Sequence, residues 1–474
     1  MLFNSYEFIF LFLPVTLLGY FLLGHRGRPL AAIGWLAAAS LFFYAWWDVR
    51  YLALLLGSIA FNYTVGRMLC DAQQRRPLLA VGVAGNLALL GYYKYANFFL
   101  AAAGALTGGD YTLGAIVLPL GISFFTFTQI AYLVDAYRGE VHEYRFLHYL
   151  LFVTFFPHLI AGPVLHHAEI MPQFRLGRCF RASAENFSVG FTIFVIGLFK
   201  KVVLADGVAQ YVSPVFSAAD AGVAVGGVAA WCAALAYTFQ LYFDFSGYSD
   251  MAIGLARLFG ITFPANFNSP YKAASIIDFW RRWHMTLSRF LRDYLYIALG
   301  GNRHGSARRY ANLMATMVLG GLWHGAGWTF VAWGALHGSY LSLNHLWRAL
   351  RARLFPRLGP SRPGRWAGRL LTFLAVVVAW VFFRAGSIDA ALRIVDAMAG
   401  ANGFAKADPL YFGAAEAKWL LVLWMVAWAL PNAQQLMLAH RGALETYAGE
   451  IEPLRRRWLA WSPRPAWAFA TAAC

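Results

Sequence analysis

The 474 residues are 60% hydrophobic and 17% aromatic, and only 13% are charged. Because soluble globular chains carry about twice that charged fraction, the composition excludes an ordinary soluble enzyme and favours a chain whose apolar surface is covered by lipid. The net charge of +17 does not indicate nucleic-acid binding, since no basic domain stands apart from the apolar stretches.

The apolar stretches predict a polytopic helical protein, since crossing a bilayer takes about 20 apolar residues as a helix. The first stretch lacks the basic start and cleavage site of a signal peptide, so it is predicted to be a span. We predict one all-α integral membrane domain over residues 1–474, with about ten to twelve membrane helices that include re-entrant segments. The predicted segments, in chain order, are Phe8–Leu23, Leu30–Trp47, Tyr51–Leu69, Leu78–Tyr93, Gly114–Leu133, Tyr149–Val164, Phe187–Val203, Val223–Phe243, Tyr310–Leu343, Leu370–Phe383 and Trp419–Leu430.

Arginines in the loops predict the orientation of the chain. The first loop carries Arg26 and Arg28, and the run Arg348–Arg369 holds seven arginines and no acidic residue. Because basic loops stay in the cytoplasm, we expect both loops there and the amino terminus outside. The last stretch, Trp467–Cys474, is too short to span and is expected to lie at the interface.

Polar residues interrupt three of the apolar regions, where ionisable side chains commonly mark function. The first region, Leu241–Asp250, has the sequence LYFDFSGYSD and contains Asp244 and Asp250. We interpret these carboxylates first as part of a helix break or of a polar network inside the bundle. A direct role in chemistry is the second interpretation.

The second region, Asp278–Leu299, combines charged residues with aromatic ones. Asp278 and Arg282 are spaced to pair on a helix, and Arg281 and His284 would share a face of it. Two tryptophans here favour an interfacial helix with snorkelling arginines. The alternative is a helix that enters a polar cavity and places His284 near the chemistry.

The third region, Leu319–His337, places His324 in an apolar stretch rich in glycine. Glycine allows a backbone or a substrate to approach closely, and histidine can accept and donate a proton near neutral pH. This combination favours a cavity over a purely structural histidine. On a continuous helix, His337 would lie on roughly the opposite face, so the two histidines are not predicted to pair.

Several other chemistries have no motif in this chain. There is no HExxH or CxxC spacing, so we predict no bound metal. There is also no GxSxG elbow and no Walker A sequence, which argues against a serine hydrolase and against an ATP-driven pump.

An ordered series of motifs over nearly the whole chain resembles the membrane-bound O-acyltransferases, in the branch of the alginate O-acetylation membrane proteins. The combination of RRWHMTLS with a downstream GGLWHG carries most of the specificity. The series is MLFNSYEFIFLFLPVTLLGYF at the start, KYANFF (94–99), LPLGISFFTFTQIAYLVDAYRG (118–139), FFPHLIAGPV (155–164), LYFDFSGYSDMAIGLARLFG (241–260), NFNSPYKAASIIDFWRRWHMTLSRFLRDYLYIALGGN (266–302), GGLWHG (320–325) and WVFFRA (380–385).

The resemblance implies that His324 is the catalytic histidine and that His284 is the second important one. It also implies helices around a thin central funnel. We expect His324 to act as general base on an acceptor hydroxyl, and His284 to orient the acyl group or stabilise the oxyanion. Arg281 and Arg282 are candidate partners for donor phosphates, and an acyl-histidine intermediate stays open.

The implied activity is transfer of an acetyl group from a cytoplasmic thioester across a bacterial inner membrane, with acetyl-CoA as donor substrate and no other cofactor. A periplasmic partner with a serine nucleophile would then modify a polysaccharide. Alginate is the first expectation, cellulose or another exopolysaccharide the second and peptidoglycan the third, with teichoic acid D-alanylation less favoured. A proton-coupled transporter is the alternative from another class, but it predicts repeated halves, which the sequence does not show.

Overall fold

The computed structural model of the chain describes residues 1–71, 73–141, 145–175, 177–356, 359, 361–404, 413–447, 449–454, 459–463 and 471. Their regular structure is helical, with one isolated β-bridge between Pro264 and Leu444. The chain divides into two compact units. The first comprises Met1–Leu198, Tyr248–Ala265 and Leu436–Cys474, and the second comprises Phe199–Gly247 and Asn266–Gln435.

The first unit is built mainly from the amino-terminal helices, which pack around a core rich in Phe, Leu and Tyr. The helix Ala184–Phe199 ends at the start of the second unit. The helices of this part are Phe8–Phe12, Leu13–His25, Pro29–Ala45, Arg50–Asp71, Arg75–Leu90, Gly91–Tyr95, Ala96–Thr107, Ile122–Arg138, Phe146–Thr154, Phe156–Leu159, His167–Arg175, Arg178–Phe180, Ala184–Phe199 and Leu438–His440.

Two buried asparagines of the first unit form what we call the closed amide pair. Asn62 donates from Nδ2 to Asn86 Oδ1 at 3.1 Å, and Asn86 returns a bond from Nδ2 to Asn62 Oδ1 at 2.6 Å. Each amide also donates to a carbonyl oxygen of its own helix, at Ser58 and Gly82. Both side chains therefore have donor and acceptor partners, as buried amides require.

The second unit holds a core of alanine, valine and aromatic residues and carries the regions that the sequence marks for chemistry. The helices Gly227–Leu258 and Ala433–Leu436 have residues in both units. The helices of this part are Lys200–Ala205, Asp206–Ala209, Ser213–Asp220, Gly227–Leu258, Pro270–Lys272, Ile276–Trp280, Met285–Phe290, Leu291–Tyr296, Gly305–His324, Trp328–Leu354, Arg362–Arg384, Ile388–Met398, Ala414–Ala429 and Ala433–Leu436.

Several described helices are long and apolar enough to cross a membrane. Phe10 and Leu371 lie on such helices with 72% and 71% of their surface exposed, and lipid is the solvent that would cover side chains of this kind. The predicted number of membrane helices and the central funnel stay predictions. The four stretches are Phe8–His25, Arg50–Asp71, Ala184–Ala209 and Arg362–Arg384, and Pro29–Ala45 is apolar but shorter.

Three predicted regions differ locally from expectation. No break occurs in Leu241–Asp250, because the helix Gly227–Leu258 runs through it. The predicted interfacial helix Asp278–Leu299 is interrupted at residues 281–284. The predicted stretch Tyr310–Leu343 is two helices rather than one. The expected interfacial segment Trp467–Cys474 lies outside the described residues, apart from residue 471.

Candidate active site

The helices Gly305–His324 and Trp328–Leu354 form an antiparallel pair that we call the histidine hairpin. A Cβ atom on Gly321 would collide with the carbonyl oxygen of Phe330, and one on Gly334 would collide with that of Met317. Only glycine lets the two backbones pack this closely. The glycine-rich sequence thus builds a tight hairpin, and its turn begins directly after His324.

His324 ends the first helix of the hairpin and is surrounded by aromatic rings. Its imidazole lies 4.8 Å from the Trp323 ring, 5.1 Å from the Trp333 ring and 5.1 Å from the Phe383 ring, measured between centroids. The side chain is only partly buried. A partly buried histidine with apolar walls suits proton transfer to or from a bound substrate.

His337 lies on the second helix of the hairpin and is fully buried. Its ring is 4.8 Å from the Trp333 ring, which His324 contacts from the other helix. The expectation of opposite faces on one continuous helix is therefore wrong, because the chain reverses between the two residues. Within the described part of the chain, neither ring nitrogen of His337 has a hydrogen-bond partner.

His284 occupies a break between the helices Ile276–Trp280 and Met285–Phe290. Its backbone has φ 41° and ψ 53°, which is the left-handed region. Non-glycine residues seldom adopt it, and such strain tends to persist where surrounding structure enforces it, often at functional sites. Here the segment Asn266–Ser269 is hydrogen-bonded to the break: Met285 N–H donates to the Asn266 carbonyl at 3.0 Å, and Asn268 N–H donates to the Arg282 carbonyl at 2.9 Å.

The side chain of Asn266 fixes the His284 ring. Asn266 Oδ1 lies 3.1 Å from His284 Nδ1 and accepts from Thr286 through Oγ1 at 2.9 Å and N–H at 3.3 Å. His284 is 1% exposed, and the Phe245 ring packs 4.6 Å from it. Its second nitrogen, Nε2, has no hydrogen-bond partner among the described residues.

The two predicted catalytic histidines meet at a single indole. The Trp323 ring lies 6.2 Å from the His284 ring and 4.8 Å from the His324 ring. His284 and His324 are 40 positions apart in sequence, yet their rings line one aromatic site. Two imidazoles that can each gain or lose a proton suit acid–base chemistry.

Comparison with known proteins identifies the family of this chain. The sequence model of the membrane-bound O-acyltransferase family matches residues 10–383. The chain belongs to this family. It is therefore an acyltransferase and a multi-pass membrane protein.

Curated relatives cover most of the chain. The peptidoglycan O-acetyltransferase of Helicobacter pylori is 46% identical over 432 residues, which are 85% of this chain and 80% of that protein. The probable alginate O-acetylase AlgI of Azotobacter vinelandii is 45% identical over 407 residues, which are 84% of this chain and 78% of that protein. A teichoic acid D-alanyltransferase of Streptococcus thermophilus is 28% identical over 56% of this chain and 68% of its own.

The arginines beside His284 have different environments in this acyltransferase. Arg282 donates through Nε to Asp278 at 2.8 Å, so the predicted pairing is confirmed. Its guanidinium also reaches the Asn268 carbonyl at 3.4 Å. Arg281 follows the end of its helix and is exposed, so it does not share a helix face with His284.

The aspartates of the LYFDFSGYSD region lie in different units. Asp244 is partly exposed and forms a 2.6 Å ion pair with Lys201, which also contacts Asp206 at 2.8 Å. Asp250 belongs to the first unit and is buried. The Asp244 contacts agree with the interpretation of a polar network.

Sequence reasoning gave no role to Asn266. The residue stands in the quoted NFNS motif, and an asparagine pair close to aromatic residues and before a proline could have indicated buried polar contacts. The sequence could not show that the Asn266 amide meets the His284 ring, because 17 residues separate them. Within the described residues, no group of three or more His, Cys, Asp or Glu could hold a metal ion.

Proposed function

We propose that this acyltransferase moves an acetyl group from a thioester donor on the cytoplasmic side of a bacterial inner membrane, for O-acetylation of a polysaccharide outside it. The observation that carries the proposal is the pair of histidines against Trp323, of which His324 is accessible and His284 is buried. The names of the Helicobacter and Azotobacter relatives support acetyl transfer to a polymer.

The proposed chemistry needs one base and one site of charge stabilisation. The acceptor hydroxyl oxygen attacks the acetyl carbon while His324 takes the hydroxyl proton. The tetrahedral oxyanion then collapses, the carbon–sulfur bond breaks, and the thiolate leaves with that proton. General acid–base catalysis of this kind contributes roughly 10²–10⁴-fold. An acyl-histidine route would use the same nitrogen as nucleophile.

Acetyl-CoA is the donor we propose, since its thioester supplies the activated acetyl group and its phosphates suit arginine. Arg281 and Arg282 remain our candidates for those phosphates, and the exposure of Arg281 favours it. We further propose a periplasmic partner with a serine nucleophile, which would receive the acetyl group and pass it to the polymer.

Alginate is the first polymer to test, because the motifs resemble that branch and the Azotobacter relative is a probable alginate O-acetylase. Peptidoglycan is the second, because the Helicobacter relative is as similar as the Azotobacter one, at 46% and 45% identity.

The test compares cells that carry wild-type protein, His324→Ala or His304→Ala. His304 is an exposed histidine of the same unit and serves as the matched control. Acetate released by mild base is measured from isolated alginate and isolated peptidoglycan, with protein levels checked by immunoblot of membranes. We expect His324→Ala to lose acetyl groups from one polymer while His304→Ala keeps them. Unchanged acetylation of both polymers with inserted His324→Ala would overturn the assignment and reopen the transporter alternative.

A further inference from the structure

The contacts of Asn266 determine which of its amide atoms faces His284. A backbone N–H can only donate a hydrogen bond, and the Thr286 N–H lies 3.3 Å from the atom placed as Asn266 Oδ1. That atom must therefore be the oxygen, since an NH₂ group could not accept there. The Thr286 hydroxyl, at 2.9 Å, donates to the same oxygen.

The orientation of this amide fixes the proton on His284. An amide oxygen only accepts, so His284 Nδ1, 3.1 Å away, must donate to it and must carry a proton. In a neutral imidazole, the other nitrogen then has a lone pair and no proton. We propose that Asn266 is a positioning residue that holds His284 in the Nδ1–H tautomer, so that His284 acts through Nε2 as a hydrogen-bond acceptor.

The surroundings of His284 leave Nε2 available for this role. The ring is 1% exposed and packs against Phe245 and Trp323. Nε2 itself has no hydrogen-bond partner within the described ranges. The His324 ring packs against the same Trp323 indole, so His324 is the titratable neighbour that must be considered in any pH dependence.

This assignment, which rests on the proposed function, narrows the role of His284. A neutral Nε2 without a proton cannot donate a hydrogen bond to an oxyanion. It can accept one from the acceptor hydroxyl or from a ring N–H of His324. His284 would then orient the reacting hydroxyl or the catalytic imidazole, and Asn266 acts only through His284.

Solid-state nitrogen NMR tests the tautomer without any activity measurement. The full chain is labelled with ¹⁵N in its histidine rings and placed in liposomes, and the signals lost in His284→Gln identify that ring among the 12 histidines. We expect a protonated Nδ1 and a bare Nε2 in wild-type protein, and loss of that pattern in Asn266→Leu. A protonated Nε2 in the wild type, or an unchanged pattern in Asn266→Leu, would overturn the proposal.

A neighbouring asparagine provides the matched control. Asn268 is buried in the same segment, but its Oδ1 accepts from Asn432 at 2.9 Å rather than from a histidine. We expect Asn268→Leu to keep the His284 signals and the acetylation rate per inserted chain. Asn266→Leu should lower that rate about 10- to 100-fold, the range found when the partner that orients a metal-bound histidine is removed. Equal losses in the two variants would show a purely structural role and contradict the proposal.

Asn266→Asp provides a second test if the Asn266→Leu protein does not insert into the membrane. A carboxylate still accepts from Nδ1–H, but its charge favours the doubly protonated ring. We therefore expect the Nδ1 proton to stay and the second protonation of His284 to move to higher pH in the NMR titration. No shift in that titration would count against Asn266 as the ring's partner. The NMR results hold even if His324→Ala leaves acetylation unchanged, so failure of the proposed function is distinguishable.

Discussion

Each of the two units contains a buried asparagine that contacts a polar side chain. The two pairs differ in whether the partner of the asparagine has all its hydrogen bonds. In the closed amide pair of the first unit, Asn62 and Asn86 satisfy each other in both directions. In the second unit, Asn266 satisfies one nitrogen of His284, and the other nitrogen has no partner in the described part of the chain.

This difference distinguishes a polar contact that only stabilises the fold from one that leaves a nitrogen available for a reaction. A buried polar group without a partner destabilises the folded chain, so the closed pair is the arrangement expected from stability alone. Leaving Nε2 of His284 unsatisfied costs stability and gains nothing structurally. The nitrogen becomes useful when a substrate or a second catalytic group meets it.

The largest effect should come from removing Nε2 of His284, the nitrogen that has no partner among the described residues. His284→Gln eliminates the imidazole, and we expect polymer acetylation per inserted chain to fall by about 10²-fold, the scale of effect when a reacting group loses its orientation. Stability should change much less than activity, because histidine and glutamine both pay the cost of the left-handed backbone. Acetate release and thermal unfolding in detergent measure the two effects separately. If His284→Gln acetylates the polymer as well as the wild-type protein does, the Asn266–His284 pair has no functional role that the closed amide pair lacks.

A smaller effect, on stability alone, is expected for the closed amide pair. Asn62→Leu leaves the Asn86 amide buried without its partner and should lower the free energy of unfolding by roughly 1–3 kcal/mol. The double variant Asn62→Leu with Asn86→Leu should recover most of that loss, because no polar group is then left unpaired. Both should keep acetylation per folded chain. A large loss of activity in the double variant would show that this pair is not purely structural.

The smallest effect is expected for a polar pair at the surface of the first unit. Arg50 forms a 2.6 Å ion pair with Asp48, with 80% of the arginine side chain exposed. Water screens such pairs and solvates each partner when the other is lost. We expect Arg50→Gln to leave both the unfolding temperature and acetylation unchanged. A clear shift in either would mean that exposed charge matters more here than burial.

Sequence patterns predicted the helical class, the family and the two histidines that meet at Trp323. Hydrophobic content and the order of motifs are read directly from the sequence, so they can be recognised without knowing any tertiary contact. The Asp278–Arg282 pair was also predictable, because four-residue spacing fixes neighbours on a helix.

The reversal after His324 was not predicted, because an apolar stretch has the same composition whether it continues or turns back. Glycines indicated a close approach there, but not that Gly321 and Gly334 face another backbone. At Leu241–Asp250, serine, aspartate and glycine suggested a break, yet packing along the 32-residue helix overrides their low propensity. The contact of Asn266 with His284 depends on the tertiary fold and has no local signature.

The histidine hairpin has a consequence for how far each reactant must travel. Arg308 and Arg309 lie near its beginning and Arg351 and Arg353 near its end, so the antiparallel helices bring these cations to the same end. A 20-residue helix is about 30 Å long, so the length of the first helix separates His324 from this basic end. The positive-inside rule would place the basic end at the cytoplasm, and an acetyl donor that enters there must then carry its thioester along the hairpin before His324 can act on it.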